Sequence, residues 1–138
     1  MMARILVIDD DRDVCDSIAR LLERDGYEVL TAYDGTIGLE VCRKQLPDVV
    51  LTDIIMPGQH GVDVIRVLRK EFPSIGIIAI SGGGNAAIAG YQPGAIKTAA
   101  YMAAAETAGA DLCLTKPFER AELLKGIGTL LVRNASRH

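Results

Sequence analysis

The chain has 138 residues, 49% of them apolar, which is enough to bury one core and too many for a disordered segment. Fifteen basic against 18 acidic residues leave a net charge of −3, and no lysine- or arginine-rich block marks a nucleic-acid binder. Three widely spaced cysteines (Cys15, Cys42, Cys113) show neither metal-ligand spacing nor a disulfide framework, and no apolar run is long enough to span a bilayer, a pattern that fits the reducing cytoplasm and no membrane partner.

Ile5–Ile8 is a short continuous apolar run, the pattern of a strand buried on both faces. It runs straight into Asp9, Asp10 and Asp11. Val14, Ile18, Leu21 and Leu22 then repeat at helical spacing, and Gly26 stops that helix. Tyr27–Ala32 reads as a second strand. Asp34-Gly35 marks a turn or cap, and Ile37, Val41 and Cys42 are expected to line a second helix up to Pro47. Val49–Thr52 is a third strand, ending at Asp53. Met56–Gly61 holds Pro57, Gly58 and Gly61 and reads as a loop. Val62, Ile65 and Leu68 define a third helix, ended near Pro73. Ile77–Ile80 is a fourth strand, ending at Ser81. A helix from near Ala95 to near Gly109 leads to a fifth strand, Leu112–Thr115, which ends at Lys116-Pro117. A last helix runs from Phe118 to Val132, with Leu123, Leu124, Ile127, Leu130 and Leu131 apolar.

Strands that alternate with helices predict βαβ units, a parallel sheet and the α/β class. In such a sheet the functional site lies beyond the carboxyl ends of the strands. Those ends carry Asp9 and Asp10, then Asp53, Ser81 and Lys116. Each has a plain reading when taken alone: a capping aspartate, a turn serine, a solvated lysine. Their convergence on one edge changes that reading. Clustered carboxylates need a cation or a proton to coexist. Hard oxygen donors suit Mg²⁺, which binds through one or two carboxylates and keeps several waters. A lysine and a hydroxyl beside it could hold phosphoryl oxygens.

The motifs ILVIDDD (5–11), PDVVLTDIIMPGQHG (47–61), IIAISG (77–82) and GADLCLTKPF (109–118) together resemble the receiver domain of two-component response regulators, over nearly the whole chain. The resemblance implies a flavodoxin-like, doubly wound sheet of five parallel strands in the order 2-1-3-4-5, with five helices, as one receiver domain over 1–138. It implies a chemotaxis-regulator-like switch that promotes only its own phosphorylation and dephosphorylation. Asp53 is implied as the acceptor of a phosphoryl group from a sensor histidine kinase or a histidine phosphotransfer protein. Asp10 and Asp53 are implied as Mg²⁺ ligands, with the main-chain carbonyl of Ile55 as a third and Asp9 acting mainly through a metal-bound water. Lys116 would pair with the phosphoryl group, and Ser81 would bond it after a small shift. Lys116-Pro117 falls where the family commonly has a cis peptide bond. The implied output is a downstream protein target, contacted by a monomer or a phosphorylation-dependent dimer through the last two helices and the fifth strand. Asp11, by contrast, reads as a cap of the first helix.

Three features depart from that pattern. Cys113 stands where many members carry an aromatic residue, so the usual aromatic relay is in doubt; Cys113 reads as a core residue and Tyr101 as an amphipathic-helix residue. The stretch GGGNAAIAGYQPG (82–94) lengthens the segment between Ser81 and Lys116; it is either a tolerated surface insertion or a cover over Asp53. Ile55 and Gly83, two residues after Asp53 and Ser81, cannot position an attacking water, which points to slow self-dephosphorylation. His60 reads as a surface residue. Only RNASRH follows Val132, so a stand-alone receiver is the leading expectation, although a piece of a larger DNA-binding regulator would look the same. Two rivals stand beside these readings. A haloacid dehalogenase-type phosphatase also uses aspartate, Mg²⁺, a hydroxyl and a lysine, but its nucleophile follows the first strand. A nucleotide-binding module built on SGGGN lacks the full glycine spacing.

Overall fold

The structure is a computed structural model that describes residues 2–56, 59–81 and 93–135. The elements run β1 (Arg4–Ile8), α1 (Arg12–Arg24), β2 (Glu28–Ala32), α2 (Gly35–Lys44), β3 (Val49–Asp53), β4 (Ile55–Met56), β5 (Gln59–His60), α3 (Gly61–Glu71), β6 (Gly76–Ser81), α4 (Pro93–Ala108), β7 (Leu112–Thr115) and α5 (Arg120–Ala135). Five strands form one sheet in the order β2-β1-β3-β6-β7, and every pairing in it is parallel. Counted by these five strands alone, the order is 2-1-3-4-5, as the sequence implies. No helix among the described residues is long and apolar enough to cross a membrane.

The central strands β1, β3 and β6 are largely aliphatic and buried because helices cover both faces of the sheet. Alternate residues feed two separate cores. Leu6, Ile8, Val50, Ile77 and Ala79 pack with Cys42 of α2, with Val64, Ile65 and Leu68 of α3, and with Ala105 of α4. Ile5, Val7, Val49, Leu51, Ile78 and Ile80 point the other way, onto Cys15, Ile18 and Leu22 of α1 and Leu123, Ile127 and Leu130 of α5. Aliphatic side chains do nearly all of this packing. Cys113 is half-buried against the first core, as expected.

Several boundaries differ from the sequence reading. Of the expected inner face of α2, Cys42 is buried and Val41 packs against the core, but Ile37 is corrected: it is 47% exposed, and Gly35 and Gly38 are buried instead. The reason is a close approach. A Cβ on Gly38 would lie 2.4 Å from Cδ1 of Ile8, so any larger residue there must displace the buried Ile8 side chain for α2 to sit this close to β1. The expected loop after Asp53 contains a short antiparallel ladder, with Ile55 opposite His60 and Met56 opposite Gln59. Its far end is pinned by Gly61, whose N–H donates to the Ile54 carbonyl at 2.8 Å. A Cβ there would strike the backbone of Asp53 and Ile54 at 2.3–2.6 Å. The last helix starts at Arg120 rather than Phe118; the Glu122 carboxylate accepts from the Glu119 N–H at 3.3 Å. The expectations placed on 82–92, including the cover over Asp53 and the role of Gly83, lie outside the described residues.

An ion-pair cluster that periodicity does not signal ties α3, α4 and α5 together. Arg69 of α3 donates from Nε and Nη2 to the Gly109 carbonyl (3.0 and 2.9 Å). Its Nη1 donates to the carbonyls of Pro73 (3.0 Å) and Ile75 (2.8 Å). Its Nη2 also pairs with Asp111 Oδ2 at 2.8 Å. Asp111 in turn accepts from the Ile77 N–H at 2.8 Å and pairs with Arg133 of α5 at 2.7 Å. One planar fork thus satisfies three chain carbonyls at the ends of elements. Lysine keeps the charge and loses the fork. Arg69→Lys is therefore expected to lower the urea-unfolding free energy by roughly 1–3 kcal/mol, because half-buried carbonyls are left unpaired; an unchanged midpoint would show that the fork is not needed.

Candidate functional site

The strand order explains how distant residues meet. β3 lies between β1 and β6, and β7 flanks β6. Ile8 pairs with Thr52, Asp53 with Ile80, and Ser81 with Thr115. The residues at or just beyond these pairs are Asp9, Asp53, Ser81 and Lys116. They step across the carboxyl edge of the sheet in that order, and the α1 entrance adds Asp10.

Asp9, Asp10 and Asp53 each place a carboxylate oxygen within 4.8 Å of the others. Their surroundings differ. Asp9 is only 2% exposed, and both its oxygens are engaged: Oδ1 accepts from the Asp11 N–H at 2.9 Å, and Oδ2 accepts from Lys116 Nζ at 2.9 Å. Asp10 is exposed, and among the described residues no hydrogen bond or ion pair holds its carboxylate. Asp53 lies between these extremes. Its Oδ1 accepts from the Ile55 N–H at 3.1 Å, and its Oδ2 is 3.5 Å from Lys116 Nζ. Asp11 has the separate task expected of it: its carboxylate caps α1, accepting from the N–H groups of Asp13 (3.1 Å) and Val14 (3.3 Å).

Burial is the main force on Asp53 and pushes its carboxyl up to about 6. Lys116 and the Ile55 N–H pull it down, while the charges of Asp9 and Asp10 push it up. For Lys116, burial disfavours the ammonium, but Asp9 and Asp53 outweigh that and hold its pKa above the ordinary value. A single ammonium thus stands against three carboxylates, and the pocket is under-compensated.

The donor set fits a hard divalent cation. Three carboxylates converge, Asp10 is unengaged, and all the side-chain donors are oxygen. Ser81 supplies a second observation. It is fully buried, and among the described residues its Oγ has no hydrogen-bond partner. Leaving a buried hydroxyl unsatisfied costs roughly 1–3 kcal/mol, so this group is poised for an acceptor. Its backbone is fixed, because the Ser81 carbonyl accepts from the Lys116 N–H at 2.8 Å. The Lys116-Pro117 bond is cis, as the motif implies.

Two things escape the sequence reading. Ile55 enters it through its carbonyl, whereas its N–H is what contacts Asp53. The end of β2 is also assigned no part there. Tyr33, just past that strand, donates its hydroxyl to Asp16 at 2.8 Å, and the Arg12 guanidinium lies 4.5 Å over its ring. This contact ties the start of α1, next to the aspartates, to β2. An aromatic residue directly after a strand, opposite an arginine at a helix start, is the signal that could have revealed it. Tyr101 packs against the first core, as expected of an amphipathic-helix residue.

The raised Asp53 pKa sets a pH dependence for the magnesium-free protein. The folded value, about 6, lies above the ordinary carboxyl value of 3.8. Ionised Asp53 therefore subtracts stability above pH 6, and that loss fades as the pH falls toward 4. Asp53→Asn is expected to stabilise the metal-free protein at pH 7.5 by on the order of 1–3 kcal/mol and to have little effect at pH 4. Thermal unfolding in a chelator at the two pH values checks this.

Residues 5–100 match the family model of the response regulator receiver domain. Over 133 residues the chain is 36% identical to the response regulator MprA of Mycobacterium ulcerans, covering 96% of this chain and 52% of that protein. It is 36% identical over 135 residues to the transcriptional regulatory protein PrrA of Mycobacterium tuberculosis, covering 96% and 52%. The chain spans about half the length of the curated relatives it matches. Among solved structures, a CheY-like receiver domain protein from Methanospirillum hungatei superposes with a TM-score of 0.83 at 26% identity, covering all of both chains.

Proposed function

The chain belongs to the response regulator receiver domain family, and we propose that it is a phosphorylation-driven switch whose acceptor is Asp53. The observation that carries this reading is the buried, unpartnered Ser81 hydroxyl. It stands on the same sheet edge as three carboxylates and Lys116. A phosphoryl group on Asp53 supplies the acceptor that Ser81 lacks.

An Asp53 oxygen bonds to phosphorus as the bond between phosphorus and the donor's histidine nitrogen breaks, and the imidazole leaves with that electron pair. The Ile55 N–H fixes one Asp53 oxygen, which limits the rotamers the carboxylate samples during attack. Lys116 already bridges Asp9 and Asp53. It offsets negative charge in the resting pocket and turns to the phosphoryl oxygens as they arrive. Asp10, Asp53 and the Ile55 carbonyl would hold Mg²⁺, with Asp9 reaching it through water. When bound, that ion neutralises the charge brought together by donor and acceptor. The product adds charge and acceptor oxygens at one point. Ser81 and Lys116 turn toward them, and their turning favours one arrangement of β6, β7 and the helices that follow.

The finer assignments are part of the same proposal: a histidine kinase or phosphotransfer donor, a receiver that covers 1–138, a cytoplasmic location, and self-catalysed gain and loss of phosphate without substrate turnover. Relatives named as transcriptional regulators support an output on transcription, carried by a protein or a segment that the switch controls. A phosphatase of the haloacid dehalogenase type fits less well, because the acceptor candidate follows β3 and not β1.

The test is incubation with a small phosphodonor and Mg²⁺, read by intact mass. The wild type is expected to gain one acid-stable, base-labile phosphoryl group, and Asp53→Asn none. Labelling that survives the substitution, or multiple turnovers of a phosphomonoester, would overturn the assignment.

A further inference from the structure

β3 is the central strand of the sheet, with β1 on one side and β6 on the other. By alternation Val50, Thr52 and Ile54 share the face of β3 that meets the first core, and Thr52 is the one polar side chain among them. It pairs with Ile8 on β1 and Ala79 on β6, and both belong to that aliphatic core. Thr52 is 0% exposed. Valine has the same shape and no hydroxyl to take out of water, so packing alone does not account for a threonine here.

The hydroxyl has a partner. Thr52 Oγ1 donates to the main-chain carbonyl of Asp53 at 3.1 Å. That carbonyl comes after the last pair of the β1–β3 ladder, Ile8 with Thr52, and outside the strand ladders no N–H of the described residues donates to it. Gly61 closes in on the same carbonyl: a Cβ there would lie 2.3 Å from the Asp53 oxygen. A peptide unit is planar, so holding the Asp53 carbonyl also sets the direction of the Ile54 N–H, which donates to the Ile80 carbonyl at 2.9 Å. The next N–H, that of Ile55, returns to Asp53 Oδ1 at 3.1 Å. Thr52 thus grips the first of the peptide units that join Asp53 to Ile55.

We propose that Thr52 is a positioning residue for phosphoryl transfer: its hydroxyl holds the main chain at Asp53 and so aims the Asp53 carboxylate and the Ile55 carbonyl. This rests on the reading of Asp53 as the acceptor. Thr52 is fully buried and does not meet the donor; it acts through the Asp53 carbonyl. The other backbone bonds of this turn, Ile54 to Ile80 and Gly61 to Ile54, keep the fold when the hydroxyl is removed. What is lost is the restraint on one carbonyl, and in-line attack is sensitive to misplacement of the reacting oxygen by about 1 Å.

The test compares the full chain with Thr52→Val, and Thr52→Ser with Thr52→Ala, so that each comparison removes a hydroxyl at nearly constant volume. Labelling by acetyl phosphate with Mg²⁺ is timed by intact mass, and urea midpoints are measured alongside. Thr52→Val and Thr52→Ala are expected to take the same single label at Asp53 about tenfold or more slowly than wild type at every donor concentration. Thr52→Ser should recover the rate to within about threefold. Hydrogen exchange of the Ile55 N–H, read in a chelator, should quicken in Thr52→Val and Thr52→Ala and stay slow in Thr52→Ser. A threonine that only fills the core gives another ranking: Thr52→Val as fast as wild type, and Thr52→Ser slowed together with Thr52→Ala. That ranking, or rates that follow the urea midpoints instead of the hydroxyl, overturns the proposal. If wild type is labelled at Asp53 and all four proteins label alike, this proposal alone fails. If wild type takes no label at Asp53, the acceptor reading fails and the proposal with it.

Discussion

Lys116 reaches from the end of β7 to both Asp9 and Asp53, and the rest of the site is arranged around what that one ammonium leaves undone. Burial first, and the charges of Asp9 and Asp10 after it, raise the Asp53 pKa by more than that one ammonium offsets. The energetic deficit is relieved by a cation, by a proton, or by consuming the carboxylate in a bond. A switch needs a resting state from which modification is favourable. An under-compensated pocket and a hydroxyl with no partner supply such a state before any phosphoryl group arrives.

The fold serves that pocket. Only the central strands place Asp9, Asp53 and Ser81 side by side, and they do so because all five strands are parallel and present the same ends. Helices on both faces keep the interiors of the central strands β1, β3 and β6 buried, so Asp9, Asp53 and Ser81 come at or just beyond their carboxyl ends. Gly61 then lets the chain after Asp53 fold back close enough for its N–H to bond to the Ile54 carbonyl. At the opposite end, Arg69 and Asp111 join α3, the α4–β7 connection and α5. The elements that follow Ser81 and Lys116 are thereby coupled to the rest of the molecule at their bases.

Much of this was legible in the sequence, for a physical reason. A strand buried on both faces is a run of aliphatics, and its end is marked by the first polar residue, so Asp9, Asp53, Ser81 and Lys116 could be placed at one edge from chain order alone. The strand order came only through family resemblance, since periodicity does not say which strands are neighbours. On α2, Val41 and Cys42 fall where the spacing puts them, but Ile37 does not, because a glycine's value lies in the partner that approaches it. Arg69 was invisible for a similar reason: its acceptors are backbone carbonyls, which no side-chain pattern records.

The resting contacts of Lys116 and Ser81 are the most direct handle on the switch. The decisive measurement is a crystal structure with Mg²⁺ and beryllofluoride, which mimics a phosphoryl group on Asp53. Lys116 Nζ and Ser81 Oγ are expected to lie within hydrogen-bonding distance of separate fluorine atoms, with the metal held by Asp10 and Asp53. A bound mimic that leaves Ser81 Oγ without a partner and Lys116 paired only with Asp9 would contradict the proposed role of the pocket.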